Sequence, residues 1–117
     1  MKIFEIAEIL EAEVLCGEDK LQSEILTACG SDMMSDVLAF VKDQSVLLSG
    51  LLNPQVIRTA EMMDMPCVIF VRGKTPSDDI KKLAVENGTC VLSTKFTMFT
   101  ACGLLYQSGL RGASGKE

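Results

Sequence analysis

The 117-residue sequence contains no histidine and no tryptophan, and only 5% of its residues are aromatic. Histidine is the commonest general base and metal ligand near neutral pH, so its absence removes the usual catalytic and metal-binding chemistries. We therefore expect a protein that is not an enzyme and that holds no metal or other cofactor. The core must be built from aliphatic side chains, methionine and cysteine, because large aromatic residues are scarce.

Clustered basic residues and long apolar segments are also missing. The 11 Lys and Arg are outnumbered by 16 Asp and Glu, and the net charge of −5 argues against a nucleic-acid-binding surface. No apolar run approaches the ~20 residues that a membrane helix needs. The first residues lack the basic and then apolar pattern of a signal peptide. We expect a cytoplasmic protein with no membrane contact.

The cysteines show no pattern of a metal or disulfide site. They number five, and no two have the Cys-x-x-Cys spacing of a zinc or redox centre. Without an export signal, reduced and partly buried thiols are expected. We interpret Cys67, Cys90 and Cys102 as buried for structural reasons.

Three apolar runs without polar alternation predict strands that are covered on both faces, as in a parallel sheet flanked by helices. They occupy residues 46–49, 68–71 and 90–92. Their valine starts, Val46, Val68 and Val91, are 22 and 23 residues apart. That interval accommodates a strand, a turn, a helix of about three turns and a return. The repeat therefore predicts parallel strands joined by right-handed helical crossovers.

The N-terminal part of the chain predicts two helices and two short strands. Helical periodicity indicates helices at residues 3–10 and 33–41, and short apolar segments indicate strands at 13–16 and 25–29. The two strands could pair directly or occupy different edges of the sheet, and the pattern does not decide. The predicted fold is a single three-layer α/β/α domain over residues 1–110, with a mainly parallel sheet of about five strands. Residues 111–117 are predicted to be a disordered tail.

The later helices carry recognisable start signals. Asn53 and Pro54 form an N-cap followed by proline at the first helical position. Thr75 and Pro76 repeat that arrangement, with Asp78 in the capping-box position. Asn87-Gly88 is a stop signal for this middle helix. Ser93-Thr94 precedes a last helix predicted at residues 95–106. Its inward stripe is predicted as Phe96, Phe99, Gly103 and Leu104.

In an open parallel sheet, ligands collect outside the carboxyl ends of the strands, beside helix N-termini. The segments there offer free amides, hydroxyls and cations against an acidic background, which suits an anion such as a nucleotide phosphate. The alternative is that these residues are only helix caps and solvated loop charges, since any α/β protein has them there. The candidate ligand-binding residues are Ser31, Asp32, Ser49, Gly50, Asn53, Arg72, Lys74, Thr94 and Lys95. No standard phosphate-binding or dinucleotide-binding glycine motif is present.

Several segments together resemble DRTGG-domain proteins, and the resemblance is to stand-alone prokaryotic members. They are Gly-Ser-Asp-Met-Met-Ser-Asp-Val-Leu-Ala at residues 30–39, the strand ending at Ser49-Gly50, Val-Ile-Phe-Val-Arg-Gly at 68–73 and Val-Leu-Ser-Thr-Lys-Phe-Thr-Met-Phe at 91–99. The resemblance covers residues 1–110 and depends on the order and spacing of the segments. It implies a fold similar to the N-terminal domain of HPr kinase/phosphorylase. In one respect the chain departs from the family, because Leu-Leu-Asn-Pro-Gln at 51–55 stands where the name-giving charged motif would fall, and Arg58 is a partial substitute at best.

Elsewhere in this family the domain is fused to phosphotransacetylases and to CBS-domain pyrophosphatases, which implies a regulatory or dimerising role. We therefore expect a homodimeric regulatory or protein-interaction module that senses a small anionic ligand such as a nucleotide or contacts a protein partner. Stand-alone members are also associated with hydrogenase-type systems. The alternative that this implies is a redox or iron–sulfur accessory protein with cysteine ligands.

Overall fold

The computed structural model describes residues 1–40 and 44–112 of the chain. In chain order its elements are α1 (Ile3–Ile9), β1 (Glu13–Cys16), a 3-10 turn (Glu18–Lys20), β2 (Thr27–Gly30), α2 (Met34–Phe40), β3 (Ser45–Ser49), α3 (Pro54–Met62), β4 (Cys67–Phe70), α4 (Asp78–Asn87), β5 (Cys90–Ser93) and α5 (Met98–Gln107). The strands form one sheet in the order β1-β5-β4-β3-β2. β1 is antiparallel to β5, and every other neighbouring pair is parallel.

Helices cover both faces of the sheet, which confirms the predicted three-layer fold. One core cluster joins alternate residues of the central strands to α1 and α5, including Ile3, Ile6 and Leu105. The other joins the opposite strand faces to α2, α3 and α4, including Val37 and Ile57. Because helices pack on both faces, β3 and β4 are buried at every residue, as their unbroken apolar runs predicted.

β1 and β2, whose pairing the sequence left open, lie at opposite edges of the sheet. β2 starts at Thr27, two residues after the predicted position, and α2 starts at Met34, one residue late. The predicted end of this helix at residue 41 lies outside the described residues.

Two of the predicted start and stop signals are confirmed. The Asn53 side chain accepts a hydrogen bond of 2.8 Å from the amide of Gln55, and Pro54 opens α3. Gly88 ends α4 with a φ of 71°, a left-handed conformation that glycine adopts without a steric penalty.

The predicted cap of α4 is wrong. Its N-cap is Ser77, whose hydroxyl accepts from the amide of Ile80, and the helix begins at Asp78. Thr75 is exposed, and Pro76 is buried in the loop that leads to the cap. Thr75 and Ser77 are both acceptable caps by residue type, so the local sequence does not choose between them.

The predicted start of the last helix is wrong, and its predicted inward stripe is confirmed only in part: Phe96 and Leu104 pack against the core, whereas Gly103 and Phe99 are exposed. α5 begins at Met98 with Thr97 as its N-cap, three residues after the predicted start. Its buried residues are Ala101 and Leu105, whereas Phe99 is 89% exposed. Apolar side chains occur all around this helix, so periodicity alone does not identify the side that meets the sheet.

The chain continues past α5 to contact β2. Leu110 is buried, and the carbonyl oxygen of Arg111 accepts from the amide of Ala28 at 3.0 Å. Arg111, the first residue of the predicted tail, thereby forms a parallel bridge with Thr27. The rest of the predicted disordered tail, residues 113–117, lies outside the described residues. Within the described part of the chain, no helix is long and apolar enough to cross a membrane.

Candidate functional site

An open cavity of about 420 Å³ lies at the carboxyl edge of the parallel sheet, where β2, β3 and β4 end beside the N-terminus of α5. Its lining residues are Gly30, Ser31, Asp32, Gly50, Val71, Arg72, Thr97, Met98 and Phe99. This is the edge at which open α/β sheets bind their ligands, since the loops and helix N-termini there leave polar backbone groups unpaired.

Asp32 connects the ends of two neighbouring strands. Its Oδ1 atom accepts a hydrogen bond of 3.0 Å from the Ser49 hydroxyl and one of 2.7 Å from the amide of Gly50. One carboxylate oxygen is therefore occupied by the backbone and side chain at the end of β3. Ser31 forms the local turn that precedes α2, because its hydroxyl accepts from the amide of Met33 at 2.9 Å.

Arg72 follows β4 in an unusual backbone conformation. Its φ is 63°, in the left-handed region that non-glycine residues adopt at a cost of about 1–2 kcal/mol. Two long-range hydrogen bonds hold this loop against the loop before α5. The Arg72 amide donates to the carbonyl oxygen of Phe96 at 2.7 Å, and the Gly73 amide donates to the carbonyl oxygen of Thr94 at 2.8 Å. The Arg72 side chain is exposed in the cavity wall. Within residues 1–40 and 44–112, no acceptor takes a hydrogen bond from its guanidinium.

Gly50 lies between the guanidinium and the carboxylate. A Cβ atom at this position would be 3.6 Å from Arg72 Nη2 and 3.6 Å from Asp32 Oδ2. Both side chains belong to the described residues, and they form no ion pair with each other. The floor of the cavity therefore presents a positive and a negative group on either side of the Gly50 backbone.

Lys74 stabilises the backbone at Gly50, which lines the cavity. Its ammonium donates a hydrogen bond of 2.7 Å to the carbonyl oxygen of Gly50, and its own carbonyl accepts one of 2.9 Å from the Ser93 hydroxyl. These bonds connect the ends of β3, β4 and β5. The Lys74 ammonium is thus bound to the backbone, and Arg72 is the cation among the described residues that line the cavity.

The N-terminus of α5 forms the remaining wall. Thr97 caps the helix by accepting from the amide of Thr100. Met98 and Phe99 occupy the first turn, where backbone amides have no partner within the helix. Phe99 is the most exposed large apolar residue among those described, at 89%. Its ring is available to a ligand or to a partner protein.

The structure brings together four of the nine predicted site residues in the cavity lining: Ser31, Asp32, Gly50 and Arg72. Ser49 and Lys74 contact these residues through hydrogen bonds. The remaining three, Asn53, Thr94 and Lys95, are not part of the lining.

The positions of those three residues have clear local causes. The Asn53 side chain caps α3. The buried Thr94 hydroxyl donates to the carbonyl of Leu10 at 2.7 Å, so it faces α1. Lys95 is exposed. Sequence reasoning missed Thr97, Met98 and Phe99, although a threonine three residues before Thr100 is a cap signal that could have placed the helix start there.

The cysteines lie mainly in the core. Cys67 and Cys90 are register neighbours on adjacent strands and both are fully buried. The hydrogen bond between the two thiols raises the pKa of Cys67, and burial raises it further. The same hydrogen bond lowers the pKa of Cys90, against the opposing effect of burial. Within residues 1–40 and 44–112, no group of three or more Cys, Asp or Glu side chains is arranged to hold a metal ion.

The comparisons with known proteins give a family and a fold. One similar solved structure is that of the CBS and DRTGG domains of the regulatory region of Clostridium perfringens pyrophosphatase, complexed with the activator diadenosine tetraphosphate. The TM-score is 0.71 at 22% identity, and the match covers 92% of this chain and 46% of that one. The present chain thus spans about half the length of that regulatory region, and the likeness shows the fold.

No protein of curated function matches the sequence. The DRTGG domain matches residues 5–108, which is most of the 117-residue chain. The family resemblance noted in the sequence is therefore confirmed, and the chain belongs to the DRTGG domain family.

Proposed function

We propose that this protein is a regulatory module that senses a small anionic ligand, a nucleotide, in the cavity at the carboxyl edge of the sheet. The observation that carries the proposal is the meeting of Arg72, Phe99 and the N-terminus of α5 in one cavity of about 420 Å³. That volume is within the range of small-molecule sites in proteins, roughly 300–1,000 Å³.

Each wall of the cavity suits one part of a nucleotide. The Arg72 guanidinium offers a planar set of donors that matches phosphate oxygens. The first-turn amides of α5 and the positive end of its helix dipole favour negative charge beside them. The exposed Phe99 ring offers a face on which a base can stack, a contact worth about 1–3 kcal/mol in single-stranded nucleic acid complexes.

The backbone conformation of Arg72 supports the same proposal. Glycine would occupy this left-handed position more easily, yet the chain places a long charged side chain there. Strained residues cluster at ligand-binding sites, because the surrounding structure must hold them in place. Of the described residues with this conformation, Arg72 is the non-glycine residue that lines the cavity.

The similar regulatory region of the pyrophosphatase is complexed with a nucleotide activator, diadenosine tetraphosphate. This supports a nucleotide as the first ligand to test, since a domain of this fold is part of a region that responds to one. The contacts proposed for the present chain are its own, because its sequence at residues 51–55 carries no charge where the family's charged motif would fall.

The test is calorimetric titration and thermal shift with AMP, ADP, ATP, diadenosine tetraphosphate and inorganic phosphate. We expect at least one nucleotide to bind and to raise the melting temperature, and Arg72→Ala to weaken that binding at least tenfold. The matched control is Arg58→Ala, which removes the same charge from an exposed position of α3 outside the cavity lining. Absence of binding by every nucleotide, or equal losses in the two variants, would refute the proposal.

A protein contact at the same edge is the second candidate. Leu52 is 40% exposed just after Gly50, and Phe99 is 89% exposed at the cavity mouth. Such apolar groups are typical of interface anchors. The proposed homodimer is tested by sedimentation at micromolar concentration, where a monomer would exclude it. The iron–sulfur alternative gains no support from the described cysteines, and iron and sulfide analysis of anaerobically purified protein tests it directly.

A further inference from the structure

The second carboxylate oxygen of Asp32 has a defined place in the cavity floor. Oδ1 accepts from Ser49 and Gly50, which fixes the orientation of the carboxylate. Oδ2 lies 3.6 Å from the position that a Cβ would take at Gly50, and Asp32 and Gly50 both line the cavity. Among the described residues, none donates a hydrogen bond to Oδ2. The fold therefore positions a charged acceptor and leaves it open to the cavity.

A carboxylate in this place opposes the binding of a bare anion. Arg72 Nη2 is also 3.6 Å from the Gly50 reference point, so the two charges act on the same small volume. A ligand that carries only phosphate groups would meet attraction from Arg72 and repulsion from Asp32. A ligand that carries neutral hydroxyl donors next to its phosphate would satisfy both groups.

We infer that Asp32 reads the ribose hydroxyls of the ligand, so that the site selects ribonucleotides over deoxyribonucleotides. This inference rests on the proposed function of the cavity and adds the class of nucleotide. Oδ2 accepts from the 2′- or 3′-hydroxyl, while Arg72 contacts a phosphate. A hydroxyl donor suits the site better than a divalent cation, because the neighbouring guanidinium repels a cation and the described cavity lining contains no second acidic residue.

The isosteric variant Asp32→Asn separates the structural and the recognition roles of this side chain. Asparagine keeps an oxygen that accepts from Ser49 and Gly50, so the contact at the end of β3 is retained. Its amide nitrogen replaces Oδ2 and donates where the carboxylate accepted. It also removes a negative charge from the cavity, which favours phosphate groups. A hydroxyl oxygen can still accept from this amide, but a neutral hydrogen bond is weaker than one to a carboxylate. The variant should therefore discriminate less by hydroxyls while binding tripolyphosphate as well as the wild type or more tightly.

The experiment compares ATP, 2′-deoxy-ATP, 3′-deoxy-ATP and tripolyphosphate by calorimetry, with wild-type protein, Asp32→Asn and the control Asp36→Asn. Asp36 is exposed in the first turn of α2 and does not line the cavity. A hydrogen bond to a charged acceptor corresponds to a discrimination of about tenfold or more. We expect wild type and Asp36→Asn to bind ATP at least tenfold more tightly than one of the deoxy forms, and we expect this ratio to be clearly smaller for Asp32→Asn.

The outcomes distinguish this inference from the proposed function. Equal affinity of the wild type for ATP and both deoxy forms would overturn the inference and leave nucleotide sensing in place. Tripolyphosphate binding as tight as ATP binding would reduce the cavity to an anion site and overturn both the ribose contact and the nucleotide. No binding of any probe would remove the proposed function and the inference together. The wild-type comparison holds even if the Asp32 variant does not fold.

Discussion

The ammonium group of Lys74 donates a hydrogen bond of 2.7 Å to the carbonyl oxygen of Gly50. The two residues are 24 positions apart and belong to the loops after β4 and β3. The bond fixes the backbone that separates Arg72 from Asp32, because Gly50 also donates its amide to the Asp32 carboxylate. The floor of the cavity is thus held by two charged side chains that act on the same peptide segment.

Replacing Lys74 with methionine should destabilise the fold by about 1–2 kcal/mol, because a partly buried hydrogen bond from a charged donor is lost. Urea unfolding measures this change. Lys82→Met, at an exposed position of α4, is the matched control and should change the free energy of unfolding by less than about 0.5 kcal/mol. Equal effects of the two substitutions would show that the bond to Gly50 contributes nothing specific.

The cap of α4 gives a second prediction. Ser77→Ala should cost about 1 kcal/mol, since the Ile80 amide loses its acceptor at the helix N-terminus. Thr75→Ala should change the free energy of unfolding by less than about 0.5 kcal/mol, because Thr75 is exposed and precedes the cap. Urea unfolding of both variants decides between the observed helix start and the predicted one. A larger loss at Thr75 would support the predicted start.

The starts of α4 and α5 also show which features of the fold could be predicted from the sequence and which could not. The sheet was predictable because β3 and β4 are buried on both faces, and burial leaves a continuous apolar run in the sequence. Asn53-Pro54 was predictable because the signal is entirely local. For α4 and α5, two hydroxyl residues a few positions apart compete as caps. The choice between them depends on contacts with distant parts of the chain. For α5, one such contact is the hydrogen bond from the Arg72 amide to the carbonyl oxygen of Phe96.

The candidate site was predictable in part for the same reason. Residues that directly follow strands, such as Asp32 and Arg72, were placed at the carboxyl edge by the parallel topology alone. Thr94 also follows a strand, but its side chain turns inward to the carbonyl of Leu10, 84 residues away. Phe99 was assigned to the core because it is large and apolar, and its exposure depends on the rotation of α5, which an all-apolar helix surface does not specify.

The thiol of Cys102 gives a prediction about pH. Burial raises its pKa above 9.0, the ordinary value of a thiol. The folded state therefore keeps its proton where the unfolded chain has lost it, so this contribution to stability is complete below pH 9 and is lost as the pH rises through the folded-state pKa. Cys102→Ser should show a shallower loss of stability above pH 9 in urea unfolding. Part of the loss should remain, because the pKa values of Cys16 and Cys67 are also raised. Parallel curves for the two proteins would contradict the prediction.

The strained arginine of the cavity gives the last prediction. Arg72→Gly removes a left-handed non-glycine residue, which relieves about 1–2 kcal/mol of strain, while the freedom of glycine in the unfolded chain offsets roughly 0.5–1 kcal/mol. The variant should therefore be as stable as the wild type or up to about 1.5 kcal/mol more stable, and it should lose nucleotide binding with the guanidinium. Asp64→Gly is the control, because Asp64 has a φ of 53° in the turn after α3 and lies outside the cavity lining. It should show a similar change in stability with unchanged binding. A loss of more than about 1 kcal/mol in the free energy of unfolding of Arg72→Gly would mean that the side chain stabilises the fold. A gain in stability with a loss of binding would show that the strained conformation serves ligand binding.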